Sequence, residues 1–286
     1  MQPVARYARH QALSQSPGRP FAWARRADTT VFCAIPTSLL VLFILVPLAA
    51  LIWRGVADPA FWPSLTKSLV LEALWVTGLT TSATLLVSII AGTPLAYLVA
   101  RRHFPGKWLV ETTIDLPLVL PPVAAGVALL MAFGRRGVLG PQLAVLGIEL
   151  PFTMAAVVLA QLFVAGPFYI RGAKLGFATV DPELEEAAAL DGASAWASFW
   201  YVTLPLALPG MASGIVLCMA RAVSEFGATL MFAGNFASRT QTMSLAIMTA
   251  LETDLSAALA LAVLLVGIAA VVLVLSRALA GRWLNQ

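Results

Sequence analysis

Residues 31–53 read VFCAIPTSLLVLFILVPLAALIW, a run of 23 residues without one charged side chain. A hydrocarbon core about 30 Å thick is crossed by roughly 20 residues of helix, so this run is long enough to span a membrane. It must do so as a helix, because each backbone group left unpaired in lipid costs on the order of several kcal/mol. Five more apolar runs follow, at about 75–99, 116–133, 151–170, 206–232 and 255–275, the one at 206–232 with polar residues in its second half. Composition agrees with this reading. Of 286 residues, 60% are hydrophobic and 11% charged, and the mean hydropathy is +0.88. A water-facing surface needs far more charge, whereas lipid-facing helices need almost none. The expected fold class is an all-α polytopic membrane protein with six transmembrane helices.

The net charge of +4 does not point to nucleic acid, because the basic residues form no single patch. They sit between the apolar runs, and their distribution sets an orientation. One side holds Arg6, Arg9, Arg19, Arg25 and Arg26, then Arg101, Arg102 and Lys107, then Arg171 and Lys174, then Arg277 and Arg282. The other side holds Arg54, Lys67, Arg135, Arg136 and Arg239. Twelve against five puts both termini in the cytoplasm. Residues 1–30 read as a basic, mostly disordered tail that touches anionic lipid. Residues 69–280 read as the core that holds the other five runs. No cleavable signal is evident, since the first run follows five arginines and is long enough to span.

Several chemistries find no support. Cys33 and Cys218 each lie inside an apolar run and read as small apolar filler. His10 and His103 belong to no metal or catalytic constellation. There is no Gly-x-x-x-x-Gly-Lys-[Ser/Thr] sequence, so this chain is not expected to hydrolyse ATP. A His-Glu-x-x-His sequence is also missing, as is a serine–histidine pair in the runs.

The longest inner loop joins the fourth and fifth runs and is patterned. Asp181 can cap a helix and Pro182 suits its first position. Glu183, Glu185 and Glu186 fall in the early turns, where the helix dipole favours anions. Leu184 occupies the place a capping box needs for Glu, so the box is missing. Gly192 suits the stop, and a second short helix is expected over about 193–201. A helix pair on an inner loop offers a knob to a soluble partner.

This segment resembles the EAA loop of type I ABC importer permeases. That pattern is Glu-Ala-Ala, three residues, Gly, nine residues, an aliphatic residue, any residue, then Leu-Pro. Here it reads Glu186-Ala187-Ala188, Gly192 and Val202-Thr203-Leu204-Pro205, with every spacing matched. The resemblance implies that the loop at 181–205 couples to a separate ATPase subunit through Glu186, Ala187, Ala188, Gly192, Leu204 and Pro205. ATP and Mg would be held by that partner, with no cofactor on this chain. It also implies a homodimer, an extracytoplasmic oxyanion-binding protein and a bacterial-type cytoplasmic membrane, with no nucleic acid among the partners.

Three further stretches resemble the molybdate branch of the family. These are 115–123 (DLPLVLPPV) with Gly134-Arg135-Arg136-Gly137 after it, 224–235 (SEFGATLMFAGN) and 239–242 (RTQT). Ser224 stands where a Gly is common. The resemblance implies molybdate import, with the sulfate, thiosulfate or tungstate importers of the same family as the alternative. A stand-alone secondary transporter is the rival from another class.

Residue chemistry points to an anion without naming it. Arg221 and Glu225 are four residues apart in the fifth run and would share one helix face. Charges inside a span are costly and face a bundle interior or a water-filled path. The pair is read as a packing contact, as part of the translocation pathway, or as a gating or dimer contact, with Ser224, Thr229 and Asn235 as further pathway candidates. Pro94, Pro117, Pro121, Pro122 and Pro167 would kink or loosen their helices.

Overall fold

A computed structural model describes the main chain of residues 26–284 and the side chains of residues 33–274. Among the described residues the regular structure is entirely helical. Five helices are long and apolar enough to cross a membrane. They are α1 (Arg26–Ala57), α3 (Ser68–Arg101), α7 (Met154–Ala178), the stretch Ala195–Val223 that ends in α10 (Leu204–Val223), and α13 (Leu255–Leu284). Shorter elements are α2 (Phe61–Ser64), α4 (Lys107–Val119), α5 (Pro122–Phe133), α6 (Gly140–Val145), α8 (Pro182–Leu190), α9 (Ala195–Ser198), α11 (Gly227–Ala233) and α12 (Met243–Thr253).

Contacts divide the chain into residues 1–53 and 54–286. The expected tail lies outside the described residues up to position 25. The helix α1 begins at Arg26, five residues before the apolar run, so the last part of that expected tail is helical. Side chains from Cys33 to Ala50 are all exposed, as a lipid-facing helix requires.

In the second unit the core forms around α7, which packs against both α3 and α10. Lipid is as apolar as leucine, so helices in it associate through close packing and polar contacts rather than through hydrophobic burial. Both devices are present. Gly172 and Gly176 of α7 meet Gly214 and Gly210 of α10 in antiparallel order. A Cβ added to Gly172 would stand 2.4 Å from the Gly214 Cα, and one on Gly176 would stand 2.5 Å from the Ala207 carbonyl oxygen. The two backbones touch, and no larger residue fits. About three turns before this crossing along α7, the buried Gln161 joins three helices. It accepts from Thr84 Oγ1 of α3 at 3.0 Å and donates through Nε2 to the Ala222 carbonyl of α10 at 3.2 Å. A second core lies where α3, α12 and α13 meet, built on Val70, Met243, Ala250 and Leu261.

Two apolar runs do not form single straight helices. The run expected as one span over 116–133 is broken between α4 and α5, which bend by 119°. A residue before proline is pushed to extended backbone. Leu120 precedes Pro121 and Pro121 precedes Pro122, and both take extended ψ values of 134° and 135°. The run counts as a sixth crossing only as this bent pair. The run expected over 206–232 also stops early. The helix α10 ends at Val223, and α11 starts afresh at Gly227. The two short helices meet closely, since a Cβ on Gly227 would stand 2.9 Å from Pro122 Cβ and one on Gly126 2.8 Å from the Ala228 carbonyl oxygen.

On the side opposite the α7–α10 loop, Lys67 pairs with Asp254, and Asp58 accepts from Ser256 Oγ at 2.7 Å. The Lys67 hydrogen bond holds the Asp254 carboxyl below its ordinary range. The first contact ties the start of α3 to the link between α12 and α13, and the second ties the turn before α2 to the first turn of α13.

The glycine crossing predicts a clear mutational contrast. Gly172→Ala forces α7 and α10 apart and should cost about 1–3 kcal/mol. Gly78→Ala in α3 meets nothing within 4 Å and should be neutral or slightly stabilising. Thermal unfolding of the detergent-solubilised chain checks this, and equal midpoints for the two variants would remove the crossing from its central place.

Candidate functional site

The inner loop folds as its residues direct. Asp181 Oδ1 accepts from the Glu183 amide at 3.0 Å, and Pro182 takes the first position of α8. Gly192 stops the helix with φ +89°, a conformation that glycine adopts without strain. Its amide donates to the Ala189 carbonyl at 3.0 Å and that of Ala193 to the Ala188 carbonyl at 2.9 Å, closing the open carbonyls of the last turn. Ser194 Oγ then caps α9 at the Ala197 amide. The short helix expected over about 193–201 is instead α9 followed by a π-helical turn over Phe199–Thr203, which runs into α10.

No residue of α8 is buried. Glu186 and Ala187 are exposed, Ala188 is half-buried, Gly192 and Pro205 are exposed and Leu204 is half-buried. Among the described residues the Glu186 side chain has no hydrogen-bond or ion-pair partner. Leu190 is 89% exposed, Trp196 71% and Tyr201 82%. A capped helix that stands clear of its own core and shows apolar side chains is shaped to meet another surface.

Sequence reasoning gave Glu185, one residue earlier, no role beyond the helix dipole. Its Oε1 accepts from Arg101 Nη2 at 3.0 Å and from Thr203 Oγ1 at 2.6 Å. Arg101 is the last residue of α3 and Thr203 the last of the π turn. Further along, Arg171 pairs with Asp115 and Lys174 with Glu111, both at 2.7 Å, which holds α4 to α7.

The second candidate cluster lies at the break after α10. Arg221 Nη2 stands 2.7 Å from Glu225 Oε2, so the expected pair forms. It does not lie on one helix face, because Glu225 is beyond the end of α10. Its side chain is 1% exposed, and its second oxygen accepts from the Ala228 amide at 2.8 Å. A carboxylate in this place compensates the open amides that start α11. Ser224 Oγ donates to the Arg221 carbonyl at 3.2 Å, and Ser224 is exposed. Thr229 is fully buried, and its hydroxyl has no partner. Asn235 stands apart in a polar knot, donating to Thr249 Oγ1 and accepting from Gln241 Nε2, each at 2.9 Å. The site thus gathers Arg221, Ser224, Glu225 and Thr229 about one helix break and leaves Asn235 in the following loop.

Residues 92–285 match the family model described as the binding-protein-dependent transport system inner membrane component. The chain is 42% identical over 238 residues, 83% of this chain and 90% of the relative, to the molybdenum transport system permease protein ModB of Mycobacterium tuberculosis. It is 36% identical over 213 residues, 73% of this chain and 80% of the relative, to the molybdate/tungstate transport system permease protein WtpB of Thermococcus kodakarensis. Its fold is similar to that of a solved bacterial ABC transporter involved in the import of the acidic polysaccharide alginate, with a TM-score of 0.73 and 17% identity over 91% of this chain and 97% of that one. With more than half of its length matched by the family model, the chain belongs to the binding-protein-dependent transport system inner membrane components.

Proposed function

We propose that this chain is the membrane-spanning permease subunit of an ATP-driven importer for molybdate. The observation that carries the reading is the capped helix α8, without one buried residue and held between α7 and α10. A transporter that worked alone would have no use for an inner helix shaped to dock. Two copies of the chain form the pathway, and an ATPase subunit binds each inner loop through Glu186, Ala187, Ala188 and Gly192. An extracytoplasmic binding protein delivers the oxyanion. Both termini are cytoplasmic, as the arginine and lysine distribution directs. Closure of the ATPases moves the α8 helices, and the membrane helices follow as rigid bodies.

The cluster at the helix break suits an anion. Arg221 is a quarter exposed while its partner Glu225 is buried, so the guanidinium is the accessible member of the pair. It can meet a passing oxyanion with donors that the carboxylate leaves free. Ser224 is exposed on the same segment and carries a hydroxyl group, whereas Thr229 is buried. The bent α4–α5 pair and the α10–α11 break place irregular backbone together, which a membrane tolerates only within protein or along a water-filled cavity.

Three measurements test the reading. ATP hydrolysis by the reconstituted complex should rise with binding protein loaded with molybdate or tungstate and stay flat with sulfate. Stimulation by sulfate would move the substrate, and no complex with any ATPase would end the importer reading. Glu186→Lys puts a cation where the loop presents an anion to its partner. Co-purification of the ATPase and uptake should fall by about tenfold or more, as expected for a reversed interface charge. Arg221→Ala leaves the Glu225 carboxylate buried without its counter-ion and should cost about 3–5 kcal/mol of stability. Adding Glu225→Gln should restore the unfolding midpoint but not uptake, whereas recovery of both would leave Arg221 a packing role only.

A further inference from the structure

The inner helix carries two adjacent acidic residues with opposite surroundings. Glu186 is exposed, and its side chain has no partner among the described residues. Glu185 is 27% exposed and is held by two groups at once, Arg101 Nη2 at 3.0 Å and Thr203 Oγ1 at 2.6 Å. Those two groups belong to different membrane helices. Arg101 closes α3, its side chain 13% exposed, and Thr203 is buried at the end of the π turn that opens into α10.

We infer that Glu185 is a positioning residue for coupling, whose carboxylate hands movement of α8 directly to the ends of α3 and α10. This rests on the importer reading above and names a residue that reading does not use. Three features support it. The contact is charge-assisted and largely withdrawn from water, so it is stiffer than a surface pair. It bridges elements that are distant along the chain, since 84 residues separate Arg101 from Glu185 and 18 separate Glu185 from Thr203. The connection to α10 runs through a π turn, in which the Leu204 amide reaches back to the Phe199 carbonyl, and such turns can shift register. Without a side-chain tie, movement of α8 would be absorbed in that turn.

The tie also has room for a second state. Arg101 binds Glu185 through one nitrogen, and its Nε is buried without a partner. A small rotation of α8 that brought the second carboxylate oxygen onto Nε would turn the single contact into a fork, the stronger guanidinium–carboxylate geometry. The helix pair would then have a second, more fully bonded arrangement beside the observed one, as a transmitted step requires.

The test uses the full complex of permease, ATPase and molybdate-loaded binding protein in liposomes, and reads molybdate taken up per ATP hydrolysed. Glu185→Gln keeps the shape and removes the charge. The ATPase should still co-purify through Glu186, while uptake per ATP falls about tenfold, within the usual range of coupling factors. A wild-type ratio in an assembled Glu185→Gln complex overturns the inference. If that variant does not assemble, the exchange of Arg101→Glu with Glu185→Arg decides: assembly with a restored ratio supports the tie, and any other result overturns it. Failure of the wild-type chain to bind an ATPase would instead sink the importer reading.

Discussion

The contact between the α7 and α10 backbones, glycine against glycine, sets the geometry of everything around it. Four positions without side chains let two membrane helices approach until main-chain atoms touch. In lipid this closeness does what hydrophobic burial does in water. The inner loop is the connection between these same two helices, so its ends are fixed and its exposed helix is presented on a rigid base. The Gln161 bridge adds α3 to the pair with both of its amide groups bonded. A buried amide that satisfies three helices at once rigidifies them, and a half-bonded one would weaken them.

Much of this was legible in the residues. Apolar run length located the long helices, because a bilayer imposes a minimum that soluble folds do not. Asp181, Pro182 and Gly192 marked the ends of α8 through local chemistry that needs no tertiary information. The breaks were harder. Pro121-Pro122 stood in plain view, yet hydropathy runs straight through them and gives no sign that the chain turns by 119°. The end of α10 at Val223 was hidden for the same reason. Only the buried Glu225, serving α11 from outside the helix, explains why the polar residues gather there. The glycine spacing in α7 and α10 was readable, but each motif means little until the other is known to face it. Glu185 and Glu186 are equivalent by helix propensity and dipole, and differ only because Arg101 waits at the end of a helix 84 residues away.

The two discontinuous elements share a design. Each pairs an irregular backbone turn with a short helix, and the starts of α5 and α11 lie against each other where Gly227 faces Pro122. Irregular backbone in a membrane must be covered by protein or wetted by a cavity. Here the turn after α10 carries its own buried carboxylate and its own guanidinium, so the charge is balanced whether or not an anion is nearby.

The length of α3 has a mechanical meaning. Its 34 residues make a rod about 51 Å long, roughly 20 Å more than a bilayer's hydrocarbon core. A rod of that length turning by about 10° around its middle would carry Arg101 through roughly 4 Å, about the rise of three helical residues. Pro94 removes an internal hydrogen bond two turns before that end, and the Thr93–Tyr169 bond braces the rod against α7 at the same level. The helix is therefore a lever with its soft point splinted, and a small rotation about its middle becomes a whole-residue displacement at either end.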